Sequence, residues 1–324
     1  MRVLITGAAG YLGAQLGHAL ATAVPAAGRT ADATGHTVVG TDIRHREGLA
    51  FPLHRLDVRD PALVTLLRTE RIEAVVHLAA VLEGSGDRAR DFDIDVNGTR
   101  AVIGACVAAG VRHLTVTSSG AAYGYHADNP AWLTETDPLR GNPEFPYADH
   151  KRQVEALLAD ARAEHPALGQ LILRIGTVLG AGTNNAITRL FHRPYLLGIR
   201  GSDSPFVFVW DADVIGALLH GVTTQQTGIY NLAGDGALTV RELATLLGKP
   251  LVSLPAPLLR GLLRTARALG LTHLGPEQVR FLQYRPVLSN AAFRRDVGYA
   301  LRWSSREAFL AFMAAQGLMP AAAR

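Results

Sequence analysis

The strongest constraint in this chain is a rhythm. Through its first half, short β-branched runs alternate with longer stretches of helical periodicity. Strands are expected at 3–6, 37–42, 54–58, 74–78, 113–118 and 171–174, and helices at 11–22, 61–70, 93–109 and 147–164. Repeated strand, helix, strand units build a parallel sheet covered by helices on both faces. Crossovers in such a sheet are right-handed, so the strand C-termini line one edge, and ligands bind at that edge.

After about residue 175 the rhythm loosens. Strands at 205–209 and 228–231, with a helix from Asp211 between them, are expected to rejoin the sheet. The architecture read from this pattern is α/β, a doubly wound parallel sheet of the Rossmann type. Residues 1–175 plus about 205–232 would bind a dinucleotide, and 176–204 plus 233–324 would form a smaller, mostly helical substrate cap. Residues 23–36, rich in Ala, Gly and Thr and without periodicity, read as an enlarged surface loop.

Composition excludes several classes. Hydrophobic residues at 48% against charged residues at 19% give enough apolar surface to offset the ordering entropy of a folded chain. The formal charge of +4 is dispersed, with no run of five basic residues, so nucleic acid is not expected as a partner. A single cysteine, Cys106, excludes an intramolecular disulfide and points to a reducing, cytoplasmic compartment. Its apolar neighbours mark it as a buried, inert thiol. No signal peptide, membrane span or metal site is expected, nor a membrane as partner. At 258–271, Arg260, Arg264 and Arg267 share one helical face and leucines the other. Either a membrane-surface helix or a packed helix with a solvated basic face fits, and the packed helix is the expectation.

The chemistry concentrates at the expected sheet edge. The first strand runs into Thr6-Gly7-Ala8-Ala9-Gly10-Tyr11-Leu12-Gly13 and then into a helix. Glycines at spacings of three allow a tight turn whose amides approach a pyrophosphate at the positive helix end. The second strand ends in Asp42, whose carboxylate can accept both hydroxyls of an adenosine ribose and would repel a 2′-phosphate, which favours NAD over NADP. Arg44, His45 and Arg46 follow at once and suit a phosphate instead. Asp57, closing the next strand before Val58, either meets the adenine amino group or opens a turn.

Tyr147 and Lys151 stand four apart at the start of a helical segment, on one face. A cation beside a phenol favours the phenolate, which makes such a tyrosine a usable general base; an ordinary surface pair has the same spacing. Ser118 and Ser119 end the fifth strand and point to opposite faces, so at most one serves the chemistry.

Taken together these motifs resemble the extended short-chain dehydrogenase/reductase superfamily and, within it, the NAD-dependent epimerase/dehydratase family, in a manner like UDP-glucose 4-epimerase. The carriers are the TGxxGxxG run Thr6 to Gly13, Asp42, Asp57-Val58, His77-Leu78-Ala79-Ala80, Asn97-Gly98-Thr99 and Ser118-Ser119 with Tyr123-Gly124. They continue with Tyr147 to Lys151 as YxxxK, Leu173-Arg174 with Gly180, Phe208-Val209-Trp210-Asp211 with Val214, and Ser289-Asn290 leading to Val297-Gly298-Tyr299. The resemblance implies that Tyr147 takes the hydroxyl proton, Lys151 assists it and holds the nicotinamide ribose, and Ser119 bonds the reacting oxygen. It places Gly7, Gly10, Tyr11, Leu12, Gly13, Asp42, Asp57, Val58, Leu78, Ala79 and Ala80 along the cofactor, and Tyr123 and Thr177 beside the substrate. It also implies a homodimer paired through helices of the cofactor domain; the apolar face Val96, Val102, Ile103, Cys106, Val107 belongs either to that contact or to the core.

Departures from the family pattern narrow the chemistry. Gly120 and Ala121 stand where nucleotide-sugar dehydratases carry an Asp-Glu pair, so a dehydratase is not expected. Thr177 and Ser204 stand where sugar-nucleotide epimerases usually offer Asn and Arg to the diphosphate. Arg189, Arg193 and Arg200 are nearby substitutes, or solvated surface residues. Three functions follow: an NAD-dependent epimerase on a sugar or nucleotide sugar, a dehydrogenase or ketone reductase on a non-nucleotide alcohol, and a dinucleotide-binding redox sensor without turnover.

Overall fold

In the computed structural model, which describes residues 1–23, 36–272 and 274–320, strands form where apolar β-branched residues run without interruption. In β1 (Arg2–Thr6), Val3, Leu4 and Ile5 are fully enclosed, as a central parallel strand covered on both faces requires. The cofactor half continues through α1 (Tyr11–Thr22), β2 (Thr37–Asp42), β3 (Leu53–Arg55), α2 (Ala62–Thr69), β4 (Ala74–His77) and α3 (Arg88–Phe92). A π-helical turn at Asp93–Asn97 leads into α4 (Gly98–Ala109), β5 (His113–Ser119), a 3-10 turn at Gly120–Tyr123 and α5 (Pro146–Glu164). The second half runs through β6 (Gly169–Ile175), β7 (Thr177–Leu179), α6 (Thr188–Phe191), β8 (Leu196–Ile199), β9 (Phe208–Trp210), α7 (Asp211–Thr224) and β10 (Gly228–Leu232). It ends with α8 (Val240–Leu247), β11 (Leu251–Leu254), α9 (Ala256–Ala268), α10 (Gln278–Gln283), α11 (Ala291–Asp296) and α12 (Ser305–Ala315).

Seven parallel strands form one sheet in the order β10-β6-β5-β4-β1-β2-β3. The chain winds outward from β1 through β2 and β3, then crosses to β4 on β1's other side. That reversal opens a crevice beyond the C-termini of β1 and β4. Each face has its own core. Leu16 and Leu20 of α1, Val214 and Leu218 of α7 and Phe293 of α11 cover one face. Leu63 and Leu67 of α2, Val102 and Cys106 of α4 and Val154 and Leu158 of α5 cover the other. Val96, Val102, Ile103 and Cys106 are therefore core residues rather than a subunit contact. Burial pushes the Cys106 thiol up to about 12, which keeps it protonated and inert.

The strand expected at 205–209 forms only at Phe208–Trp210, as β9, and does not rejoin the main sheet. It pairs with β7 in a separate two-stranded sheet, and β8 pairs with β11 in another. Aromatic residues explain the departure: Phe206, Phe208, Phe309 and Phe312 pack around Phe191 in a core of their own. Two capping boxes, Thr239 with Glu242 and Ser304 with Glu307, fix where α8 and α12 begin, each cap worth about 1 kcal/mol. The expected 23–36 loop lies, apart from its ends, outside the described residues.

Helix α9 meets its expectation only in part. Leu259 and Leu263 turn inward onto Ile199 and Val279, but Leu258 and Leu262 remain exposed. Among the described residues, no helix is long and apolar enough to cross a membrane.

Candidate active site

The glycine loop is shaped by backbone contact. Gly7 sits at φ +69°, and a Cβ there would lie 2.8 Å from the Ala79 nitrogen. A Cβ on Gly13 would lie 2.3 Å from the Gly7 carbonyl oxygen. The loop therefore folds under the end of β4, where Leu78 and Ala79 donate their amides to the Thr6 carbonyl and hydroxyl. Helix α1 has no capping side chain and no acid in its first turn. Its first amides, those of Tyr11, Leu12 and Gly13, have no intrahelical acceptor and are open to an anion, and a negative charge there is favoured by the helix dipole. This cradle fits a pyrophosphate. Leu78, Ala79 and Ala80 are all partly exposed beside it.

Asp42 is buried at the end of β2. One carboxylate oxygen accepts from the Ala9 amide at 3.1 Å and the other from the Arg44 amide at 2.9 Å, which leaves lone pairs for a ribose diol. Arg46 donates to the Ala9 and Gly10 carbonyls, closing the loop from outside. Asp57 opens a turn: its carboxylate accepts from the Arg59 amide at 2.9 Å and from the Arg59 guanidinium, whose bonds hold it below the usual carboxylate range. Val58 is buried against Gly98. Tyr11 reaches out of the loop and donates to Asp211 at the start of α7; burial and then Asp211 push its hydroxyl up to about 12.

Across the crevice, the alternation along β5 separates the two serines. Ser118 is buried and donates to Glu155 at 2.5 Å. Ser119 is half-buried at the sheet edge, where its hydroxyl accepts from the Ala121 amide at 3.1 Å. Proline at the first turn of α5 sets the start of the helix that carries Tyr147 and Lys151. Lys151 is buried, donates to the Thr117 carbonyl at 2.9 Å, and holds its ammonium 5.7 Å from the Tyr147 ring centroid. An ammonium has three donors, so two remain for neighbours. Thr177, at the start of β7, is half-buried, and its hydroxyl has no partner among the described residues.

Tyr123 does not face the crevice. It is fully buried, and its hydroxyl bonds the Thr134 carbonyl at 2.8 Å, Asn231 at 2.9 Å and the Arg174 guanidinium at 2.8 Å. A side chain so committed supports the wall from behind, and the expected substrate contact is not made there. Arg174 also forks onto Glu155; burial opposes its charge, but the bonds to Glu155 outweigh that and raise it.

Sequence reading missed the opposite wall. Tyr125 packs edge-on against Phe145 and Phe281, at centroid distances of 4.8 and 5.3 Å. Burial and then the neighbouring Tyr147 push its hydroxyl well above the ordinary phenol range, against the pull of Arg285. Arg285 lies between two rings, 3.8 Å from Phe206 and 4.8 Å from Phe281, and donates to the Ser204 carbonyl and hydroxyl at 3.0 and 2.8 Å. Burial lowers it to about 9, so it stays charged at neutral pH. Its Nε is buried without a partner among the described residues. The cation absent from position 204 thus arrives from a remote segment, and no spacing links the two. Arg189 instead pairs with Glu83 at 2.8 Å, and Arg193 and Arg200 are exposed.

His77 sits buried between the Thr6 and Thr99 hydroxyls, at 2.7 and 3.1 Å, and burial, with Lys151 nearby, lowers it to about 3.

The chain is similar to several known proteins. An uncharacterized protein of Mycobacterium tuberculosis is 27% identical over 321 residues, covering 98% of this chain and 85% of its own. A UDP-glucose 4-epimerase of Azospirillum brasilense is 32% identical over 191 residues, covering 56% of this chain and 50% of its own. Among solved structures, MoeE5 in complex with UDP-glucuronic acid and NAD superposes with a TM-score of 0.73 at 23% identity, covering 98% of this chain and 99% of that one. The family model described as NAD dependent epimerase/dehydratase matches residues 3–233. The chain belongs to the NAD dependent epimerase/dehydratase family, with NAD as its cofactor.

Proposed function

We propose that this protein is an epimerase that oxidises and re-reduces a secondary alcohol carbon of a nucleotide sugar. The observation that carries the substrate class is Arg285, a charged guanidinium held between two rings, with a buried Nε that lacks an acceptor, on the same wall as Tyr125 beside Tyr147. A buried donor left unpaired costs about 1–3 kcal/mol, a cost that a ligand oxygen would remove. A diphosphate offers such oxygens, and guanidinium recognises phosphate by paired bonds.

NAD, when bound, supplies the two-electron acceptor and donor. Gly7, Gly10 and Gly13 hold the backbone close enough for the amides of Tyr11 and Leu12 to take its pyrophosphate. Asp42 takes the adenosine ribose, with Asp57, Val58, Leu78, Ala79 and Ala80 alongside. Lys151 uses its free donors on the nicotinamide ribose, beside the Tyr147 ring. Tyr147 removes the hydroxyl proton and later returns it, while Ser119 bonds the reacting oxygen. Thr177 donates to the substrate.

Thr177 and Ser204 favour a second reading, a dehydrogenase on an alcohol without a nucleotide, because both are smaller and less polar than the residues usual there. One experiment tests both readings: UDP-sugars and simple secondary alcohols are supplied with NAD while NADH absorbance and C4 configuration are followed. Inversion without net NADH supports the epimerase. NADH accumulation from a simple alcohol, with no inversion of any UDP-sugar, would overturn it.

A further inference from the structure

Asp95 and His150 form a buried polar pair, 5% and 6% exposed, apart from the groups assigned to NAD and the alcohol. His150 donates from Nδ1 to one carboxylate oxygen of Asp95 at 2.9 Å, and the other oxygen accepts from the Val81 amide at 2.8 Å. Phe92 meets the imidazole edge-on at a centroid distance of 5.7 Å. Asp95 stands on the π-helical turn Asp93–Asn97, a departure from α-helical geometry of the kind that recurs at functional sites. Its carbonyl accepts from the Thr99 hydroxyl at 2.6 Å, and through Thr99 and His77 the bonded line continues to Thr6, at the mouth of the glycine loop.

The two oxygens of this carboxylate hold different parts of the crevice. Val81 directly follows Leu78, Ala79 and Ala80 and lies beyond His77, where β4 ends, so Asp95 supplies the acceptor that strand pairing no longer does. His150 sits on α5, three residues after Tyr147 and immediately before Lys151. Apolar contact is non-directional and lets packed surfaces slide, whereas a hydrogen bond fixes distance and angle. A buried network with its members paired therefore makes the joint rigid.

We propose that Asp95 and His150 are positioning residues, a clamp that ties the cofactor wall at Val81 to the helix carrying Tyr147 and Lys151. The clamp presets the spacing between Ala80 and Lys151 before any ligand arrives. A ligand that bridges two separately built elements binds more tightly when their spacing is already set, because no ordering is left for the binding step. Chemistry between them is more sensitive still, since a misplacement of about 1 Å by a remote change can lower a rate about 100-fold. The inference rests on the reading that sets NAD against Ala80 and Lys151.

The test is calorimetric titration of NAD into the full chain with two opposed substitutions. His150→Phe keeps a ring against Phe92 but removes the donor, and His150→Asn removes the ring but keeps an N–H donor near the place of Nδ1. His150→Phe should weaken NAD binding about 10-fold, the scale of a hydrogen bond to a charged group, and His150→Asn should restore most of that loss. Asp95→Ala should match His150→Phe, and the double variant should be no weaker than either, because one break already opens the clamp. With a UDP-sugar that the wild type inverts, kcat per folded molecule should fall about 10- to 100-fold in His150→Phe while KM stays in place. A purely packing role gives the reverse order, with His150→Phe like wild type and His150→Asn impaired, and would overturn the proposal. So would additive losses in the double variant, or denaturant melts that show lost stability in both variants with NAD affinity unchanged. If Asp95→Ala did not fold by circular dichroism, the two His150 variants would decide the matter alone. A wild type that inverts no UDP-sugar would sink the nucleotide-sugar reading and leave the NAD titrations to judge the clamp, whereas Lys151→Ala binding NAD as tightly as wild type would remove Lys151 from the cofactor and the clamp with it.

Discussion

The two walls of the crevice are built on opposite principles. The glycine loop works through backbone: its residues matter for what they lack, and a Cβ at Gly7 or Gly13 would collide with main chain. The facing wall works through side chains, Tyr125, Phe281 and Arg285, from segments far apart in the sequence. A backbone site must be local, because consecutive amides have to converge, and it therefore leaves a compact motif. A side-chain site needs only that the fold bring its parts together, and it leaves none.

The sharpest test of this division is at the chemistry between the walls. Tyr147→Phe should lower turnover by about 10² to 10⁴, the usual loss for a positioned acid or base, while NAD affinity measured by calorimetry stays at the wild-type value. Activity retained above about a hundredth would remove Tyr147 as the base. Arg285→Ala should lower kcat/KM for a nucleotide sugar by about 10- to 100-fold, the scale of a charged hydrogen bond, and leave NAD affinity alone. Arg285→Lys should not restore it, since the two-ring stack needs a planar cation.

Gly13→Ala is the matching change on the other wall. It should weaken NAD binding and destabilise the fold by about 1–3 kcal/mol, read by denaturant melts, because neither the Gly7 carbonyl nor α1 can move away cheaply. If NAD affinity fell as much for Arg285→Ala as for Gly13→Ala, the two walls would not be separate.

A smaller effect concerns acid. His77, lowered from 6.5 to about 3, stays neutral in the folded chain while the unfolded chain takes up a proton below about 6.5. The unfolded state then binds more protons, so stability falls as pH drops from about 6.5 to about 3, by up to about 1.4 kcal/mol per pH unit. His77→Gln should flatten that slope in melts across pH 4 to 7 (about the span of ordinary buffers); an unchanged slope would assign acid sensitivity elsewhere.

Much of the cofactor half was legible beforehand. The helix at 11–22 forms as α1, the parallel order follows from the repeated strand and helix pattern, and the period-two alternation separated Ser118 from Ser119. The cap was less legible. The strand near 205–209 has the right composition for the main sheet, but its phenylalanines find partners on α6 and α12. Tyr123 shows the same limit from the other side, since its motif neighbours Ser119 while its hydroxyl is claimed by Arg174 and Asn231.

The sequence by itself determined the family, the tight glycine turn after β1 and the placing of Tyr147 and Lys151 on one helix face, because each depends on short spacing: a turn, a helix face or a strand's alternation. Only the tertiary structure decided that Arg285 would stand beside Ser204, that Tyr123 would support the wall from behind, and that Leu262 would face outward. Those outcomes depend on which remote surfaces meet, and long-range packing is settled by complementary shape and charge across the whole fold, which no local pattern records.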